Sequence, residues 1–100
     1  MSRFGLYTKF TTHDSQRNAL VEILLEAACE MEAVEGCILY IINTPDNDPN
    51  SVWVTEVWND ASAHQASLAL EGARELIQKA KPLIARIEQI KLNPLGGKGV

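Results

Sequence analysis

The chain has 100 residues, 46% of them apolar, which is enough for one compact core and too few for two. Its formal net charge is −4, and lysine and arginine are scattered from Arg3 to Lys98 without a basic run, which argues against nucleic acid or anionic membrane as the main partner. No apolar stretch reaches the roughly 18 residues needed to cross a bilayer, and Met1-Ser2-Arg3-Phe4 lacks a leader pattern, so a cytoplasmic protein is expected.

From Arg3 to Thr11 the sequence is rich in aromatic and β-branched residues, and Phe4, Leu6, Thr8 and Phe10 share one face by period two. This is the first expected strand. Thr12-His13-Asp14-Ser15 then offers several N-caps for a helix over about residues 15–33, whose stripe is Ala19, Leu20, Ile23, Leu24, Ala27, Ala28 and Met31. Gly36 is a turn residue, and Cys37 to Ile42 is an apolar run too short for a helix, hence strand two. The turn formers between Thr44 and Ser51, among them Pro45, Asp48 and Pro49, predict an extended hairpin loop before strand three at about Val52 to Trp58.

Asn59 or Asp60 can cap a short helix. Gly72 predicts a bend before a second helical piece with Ala69, Ala73, Leu76, Ile77 and Ala80 on one face, which Pro82 ends. Leu83 to Leu92 alternates as a strand with one apolar and one mixed face, and Asn93 to Val100, with Pro94 and three glycines, reads as a flexible tail after a domain spanning residues 1–92.

The order β-α-β-β-α-β is the split arrangement that folds into an α+β, ferredoxin-like, four-stranded antiparallel sheet with helices on one face. Such a sheet leaves its other face open, and here the outward set is either Tyr7, Ile38, Tyr40 and Ile42 or their alternates. Large apolar groups stay uncovered either way, so a homodimer through the open sheet face is expected. Cys29 and Cys37 fit neither a redox pair nor a zinc pattern and read as buried free thiols. His13 and His64 are far apart, and neither has a ligand at i+3 or i+4, so no metal is expected.

Two segments resemble a known family. Glu35-Gly36-Cys37-Ile38-Leu39-Tyr40 is similar to the opening of its second strand, and Glu56-Val57-Trp58-Asn59-Asp60-Ala61-Ser62-Ala63 resembles the E-x-W-x-D-x-x-A signature of the antibiotic biosynthesis monooxygenases. With the element order, the resemblance covers about residues 3–92. It implies a dimeric α+β barrel, a pocket between sheet and helices in each subunit, and, in some members, oxygenation of quinols or polyketide phenols without metal or flavin. Many members carry a histidine nine positions after the signature tryptophan, where this chain has Ser67; His64 stands one helical turn earlier on a neighbouring part of the face. The haem-degrading branch needs a histidine beyond the short helix, and none follows His64. No cofactor is expected.

His64 is the candidate base, since an imidazole of near-neutral pKa can remove a phenolic proton and leave an electron-rich anion that reacts with dioxygen. In its structural reading it is a partly exposed helix residue. Trp58 reads as a packing anchor or as the flat wall of an aromatic pocket, and Glu56 as a salt-bridged strand residue or a pocket group on the same face. Ser67 and Tyr40 complete the substrate-binding candidates, although strand tyrosines such as Tyr7 and Tyr40 also suit a dimer interface. Trp53, five positions from Trp58, faces the other way and is assigned to the interface or surface. Two functions follow: a cofactor-independent monooxygenase acting on a small aromatic or quinol-like substrate, or a non-catalytic dimeric binding module for a small hydrophobic metabolite. An isomerase or lyase on the same barrel is a third. Removing Asn93 to Val100 is expected to leave the melting temperature within a degree or so of the full chain, because the tail has little to bury; a large drop in thermal melting would show that it docks.

Overall fold

A computed structural model describes residues 3–100. Met1 and Ser2, part of the stretch read as carrying no leader, lie outside the described residues. The elements run β1 (Phe4–Thr12), α1 (Arg17–Met31), β2 (Cys37–Asn43), β3 (Ser51–Trp58), α2 (Ala61–Ser67), α3 (Glu71–Ala80), one 3₁₀ turn (Lys81–Leu83) and β4 (Ile84–Leu92). The sheet order is β2-β3-β1-β4, and every neighbouring pair is antiparallel. This is the expected ferredoxin-like α+β topology, with the helices on one face.

β3 is the organising strand. Val52, Val54, Glu56 and Trp58 alternate onto the helix side and are all buried, which places the core directly beneath α1. Leu20 and Leu24 descend from α1 onto Val52 and Val54, and Ala80 at the end of α3 closes the same cluster. From β1, Leu6 and Thr8 join this side, opposite Glu56 and Val54 respectively. The stripe expected of α1 is therefore present, but no cap from Thr12 to Ser15 is used. Gln16 occupies the cap position without a side-chain bond, and Ser15 takes a left-handed turn at φ 67° instead.

The two tyrosines separate. An irregularity between Cys37 and Leu39 shifts the β2–β3 register, so that Tyr40 pairs with Glu56 and Ile42 with Val54, both beneath the helices. Tyr7, opposite Thr55, stands on the other face and packs on Trp53 with ring centroids 4.8 Å apart. Among the two outward sets left open, β2 therefore contributes the alternates, Leu39 and Ile41. Trp53 lies on that open face, as expected.

The second helical region breaks earlier than expected. α2 ends at Ser67, residues 68–70 form turns, and Gly72 already belongs to α3. Ala69 consequently lies outside the helical stripe. Gly72 lies in the first turn of α3 beside the exposed Glu30 side chain of α1 and does not make the bend, which falls at residues 68–70. Pro82 does end α3, through the 3₁₀ turn.

The cysteines are not both buried: Cys29 is exposed on α1, off the stripe of Leu20, Leu24 and Met31, and Cys37 is half-buried at the start of β2. β4 differs too. Of its residues only Ile84 is partly covered, because the helices lie over β2, β3 and β1 and leave this edge strand bare on both faces.

Candidate functional site

Between sheet and helices lies a cavity of about 410 Å³, within the roughly 300–1,000 Å³ of small-molecule sites. Its walls are mainly apolar, with Leu6 and Phe10 from β1, Leu24 and Met31 from α1, and Leu76 and Ile77 from α3 among them. Ile87 and Gln89 of the bare strand β4 rim its mouth, with Lys81 beside them. Tyr40, Glu56, Trp58, His64 and Ser67, the five residues singled out in the sequence, all line this one space.

Their placement follows from local structure. Glu56 and Trp58 are two apart on β3, so the pleat turns both inward, and the indole Nε1–H donates to Glu56 Oε1 at 3.1 Å. Asp60, two residues after the strand, caps α2, its Oδ1 accepting from the Ala63 N–H at 2.7 Å. The cap fixes where α2 begins, and so where His64 falls. Gly36 tightens the arrangement: its carbonyl accepts from the Asn59 N–H at 2.9 Å, and a Cβ at residue 36 would sit 2.7 Å from Ala63 Cβ. α2 can therefore lie close against the β2 entry only because residue 36 has no side chain.

His64 is held between two rings, Phe4 at 5.1 Å and Trp58 at 5.5 Å, the latter edge-on at 68°. Its Nε2 is 3.8 Å from Glu56 Oε1, near enough to feel the charge and too far for a hydrogen bond. Burial dominates at both groups. It pushes the Glu56 carboxyl above its usual range, against the lowering effect of the Trp58 bond, and it holds His64 below the ordinary histidine value, helped by nearby Lys91. At neutral pH the imidazole is therefore uncharged and able to accept a proton.

The remaining polar groups are tuned toward neutrality. Tyr40 is raised well above the ordinary phenol, chiefly by burial and then by the Glu56 charge, so it stays a hydroxyl donor. Cys37 is raised for the same two reasons, which keeps it a thiol rather than a nucleophilic thiolate. Ser67 Oγ donates to the His64 carbonyl at 2.6 Å, so toward the cavity it offers lone pairs only. Among the described residues, no three His, Cys, Asp or Glu side chains are grouped so as to hold a metal ion.

Sequence reasoning missed the polar pair Thr8 and Gln89, in which Gln89 Nε2 donates to Thr8 Oγ1 at 3.4 Å on the sheet side of the cavity. A signal existed, since Thr8 interrupts the apolar face of Leu6 and Phe10. Lys81 was passed over because Pro82 marks that stretch as a helix end.

A ferredoxin-like sheet thus carries an apolar cavity beneath its helices, with an imidazole, a carboxylate and a phenol on its wall. The antibiotic biosynthesis monooxygenase family profile matches residues 3–79, and the chain belongs to that family. A crystal structure from Chloroflexus aurantiacus J-10-fl, of a protein assigned to antibiotic biosynthesis monooxygenases, is 37% identical, with 96% of each chain covered and a TM-score of 0.89. The fold is shared by a protein of the same assignment from Caulobacter crescentus CB15, at 12% identity, 95% and 92% coverage and a TM-score of 0.88. It is shared also by the N63A mutant of SnoaB, a cofactor-independent oxygenase from Streptomyces nogalater, at 16% identity, 98% coverage of both chains and a TM-score of 0.83. No curated protein matches. No helix is long and apolar enough to cross a membrane.

The raised Glu56 carboxyl sets a pH-dependent stability. A folded-state value above the unfolded one means that ionisation costs stability: the cost is absent below the unfolded value near 4.3, grows as pH rises through the folded value, and is full above it. Glu56→Gln keeps an acceptor for the Trp58 indole and removes the buried charge. Its melting temperature should exceed wild type at pH 8, and the difference should vanish at pH 4; an equal gain at both values would show that charge is not the cause.

Proposed function

We propose that the protein is a cofactor-independent monooxygenase that oxygenates a small aromatic or quinol-like substrate inside this cavity, working as a cytoplasmic homodimer. The observation that carries the reading is the uncharged imidazole of His64 on the wall of an apolar cavity of about 410 Å³. An electron-rich phenol brings its own reducing power, so the protein has to supply only orientation, exclusion of water and a proton acceptor. His64 takes the phenolic proton. Trp58 gives a flat wall, Tyr40 a hydroxyl donor, and Glu56 and Ser67 acceptors for further hydroxyl groups of the ring.

Family membership supports oxygenation, and the 37% identical relative carries the same assignment. Ser67 favours the second reading, a binding module without turnover. Its hydroxyl is engaged by the helix backbone and cannot replace the histidine that many members place there.

The dimer is supported by the open face of the sheet. Tyr7, Trp53, Ile41, Ile90 and Leu92 stand on it, and the last three are 44%, 54% and 48% exposed, an apolar group of the kind that marks interfaces. Lys9, 5.7 Å over the Trp53 ring, is the charge that would be covered with them. Light scattering at micromolar concentration should return about twice the chain mass of 11.0 kDa. A folded monomer would remove this part of the proposal.

Metal-free and flavin-free protein should consume dioxygen when given a reduced quinol or polyhydroxylated aromatic. His64→Ala should lower kcat by about 10²- to 10⁴-fold, the usual loss for a missing general base. Trp58→Ala should instead raise KM, since it removes a stacking wall. Binding without oxidation across a broad quinol panel would replace the enzyme with the binding module.

A further inference from the structure

Glu56 has a place in the site that binding a substrate hydroxyl does not account for. It is 8% exposed, and its carboxylate lies alongside His64 rather than at the mouth. A buried carboxylate is unfavourable unless something fixes it, and here the Trp58 indole N–H holds one oxygen in place. Trp58 also meets the His64 ring edge-on, so carboxylate, indole and imidazole form one packed group on the cavity wall. The ring nitrogen turned to the carboxylate is Nε2, at 3.8 Å. Catalytic hydrogen bonds of this kind tighten on substrate binding.

We infer that Glu56 is the positioning residue for His64: its carboxylate draws the ring proton to Nε2, which leaves Nδ1 as the acceptor for the substrate's phenolic proton, and it then holds the imidazolium that forms. The role rests on the proposed monooxygenase reading and specifies how its base is prepared. In the step, the substrate O–H bond breaks, its electron pair stays on oxygen as phenolate, and an Nδ1–H bond forms. Glu56 and His64 together pass from a charge of −1 to 0 while the substrate passes from 0 to −1, so charge balances. Dioxygen, the oxidant of the proposed reaction, enters only afterwards. A carboxylate beside the new imidazolium opposes the burial that otherwise disfavours it.

The charged and titratable groups facing the pair come from each packed element. Tyr40 and Cys37 of β2 lie within reach of the Glu56 charge, Lys91 of β4 lies near His64 and opposes its protonation, and Lys81 stands farther off at the mouth. Of these groups, Glu56, 3.8 Å from the ring, is the one whose negative charge would favour the imidazolium. Without it, burial and Lys91 act unopposed.

Ring-nitrogen NMR of histidine-labelled protein tests this directly, with the distant His13 as internal reference. Wild type at pH 8 should show His64 as the Nε2–H tautomer. In Glu56→Gln the Nε2–H preference should weaken and the His64 titration midpoint should fall by about one pH unit, a tenfold loss of proton affinity, with His13 unmoved. The acid limb of the kcat/KM profile should move down in pH by the same amount, and Glu56→Asp should restore part of both changes. An Nδ1–H tautomer in wild type, which needs no variant to observe, would overturn the inference, as would an unshifted His64 in Glu56→Gln. Because the NMR readout needs no turnover, a protein that oxidises no quinol yet shows the tautomer and the shift would overturn the monooxygenase reading and leave the pairing standing.

Discussion

Trp58 and Glu56 stand two residues apart on the central strand β3, so the pleat commits both to the helix side, where the indole N–H meets the carboxylate. Neither group suits that place alone. A carboxylate 8% exposed carries a desolvation cost, and a fully buried indole N–H without an acceptor carries another. Together they make a polar unit inside an apolar wall, and β1, β2 and α2 are arranged around it. Tyr40 reaches the same unit from β2 because the register shift after Cys37 places it opposite Glu56, and His64 reaches it from α2 because Asp60 fixes the helix start.

The sheet and its order were legible because β-type periodicity and turn chemistry agree along this chain: four apolar runs, each bounded by polar or Gly- and Pro-rich breaks, leave little choice of topology. Asp60 could be read as a cap from its residue type and place alone. The helix break after Ser67 could not, since Gly72 looked like the bend and instead lies inside the first turn of α3. Ser15 in a left-handed turn was equally hidden, because any of four polar residues could have capped α1.

The site was partly legible for a different reason. Residues on one strand share a face by counting, which is how Glu56 and Trp58 came together on paper. Whether Tyr40 shared that face depended on a register irregularity that counting cannot see, and whether His64 reached it depended on the close approach of Gly36 to Ala63. Thr8 and Gln89 were missed because their bond spans 81 residues of sequence and joins β1 to an edge strand read only for its alternation.

The same architecture explains why the cavity and the open sheet face have to be considered together. The helices cover β2, β3 and β1, and β4 is left bare on both sides although it pairs with β1 along its length. One of its faces rims the cavity through Ile87 and Gln89, while the other carries Ile90 and Leu92 beside Tyr7 on the open face. Its two faces thus belong to different parts of the molecule, Ile87 and Gln89 to the cavity and Ile90 and Leu92 to the open sheet, although one nine-residue strand carries both.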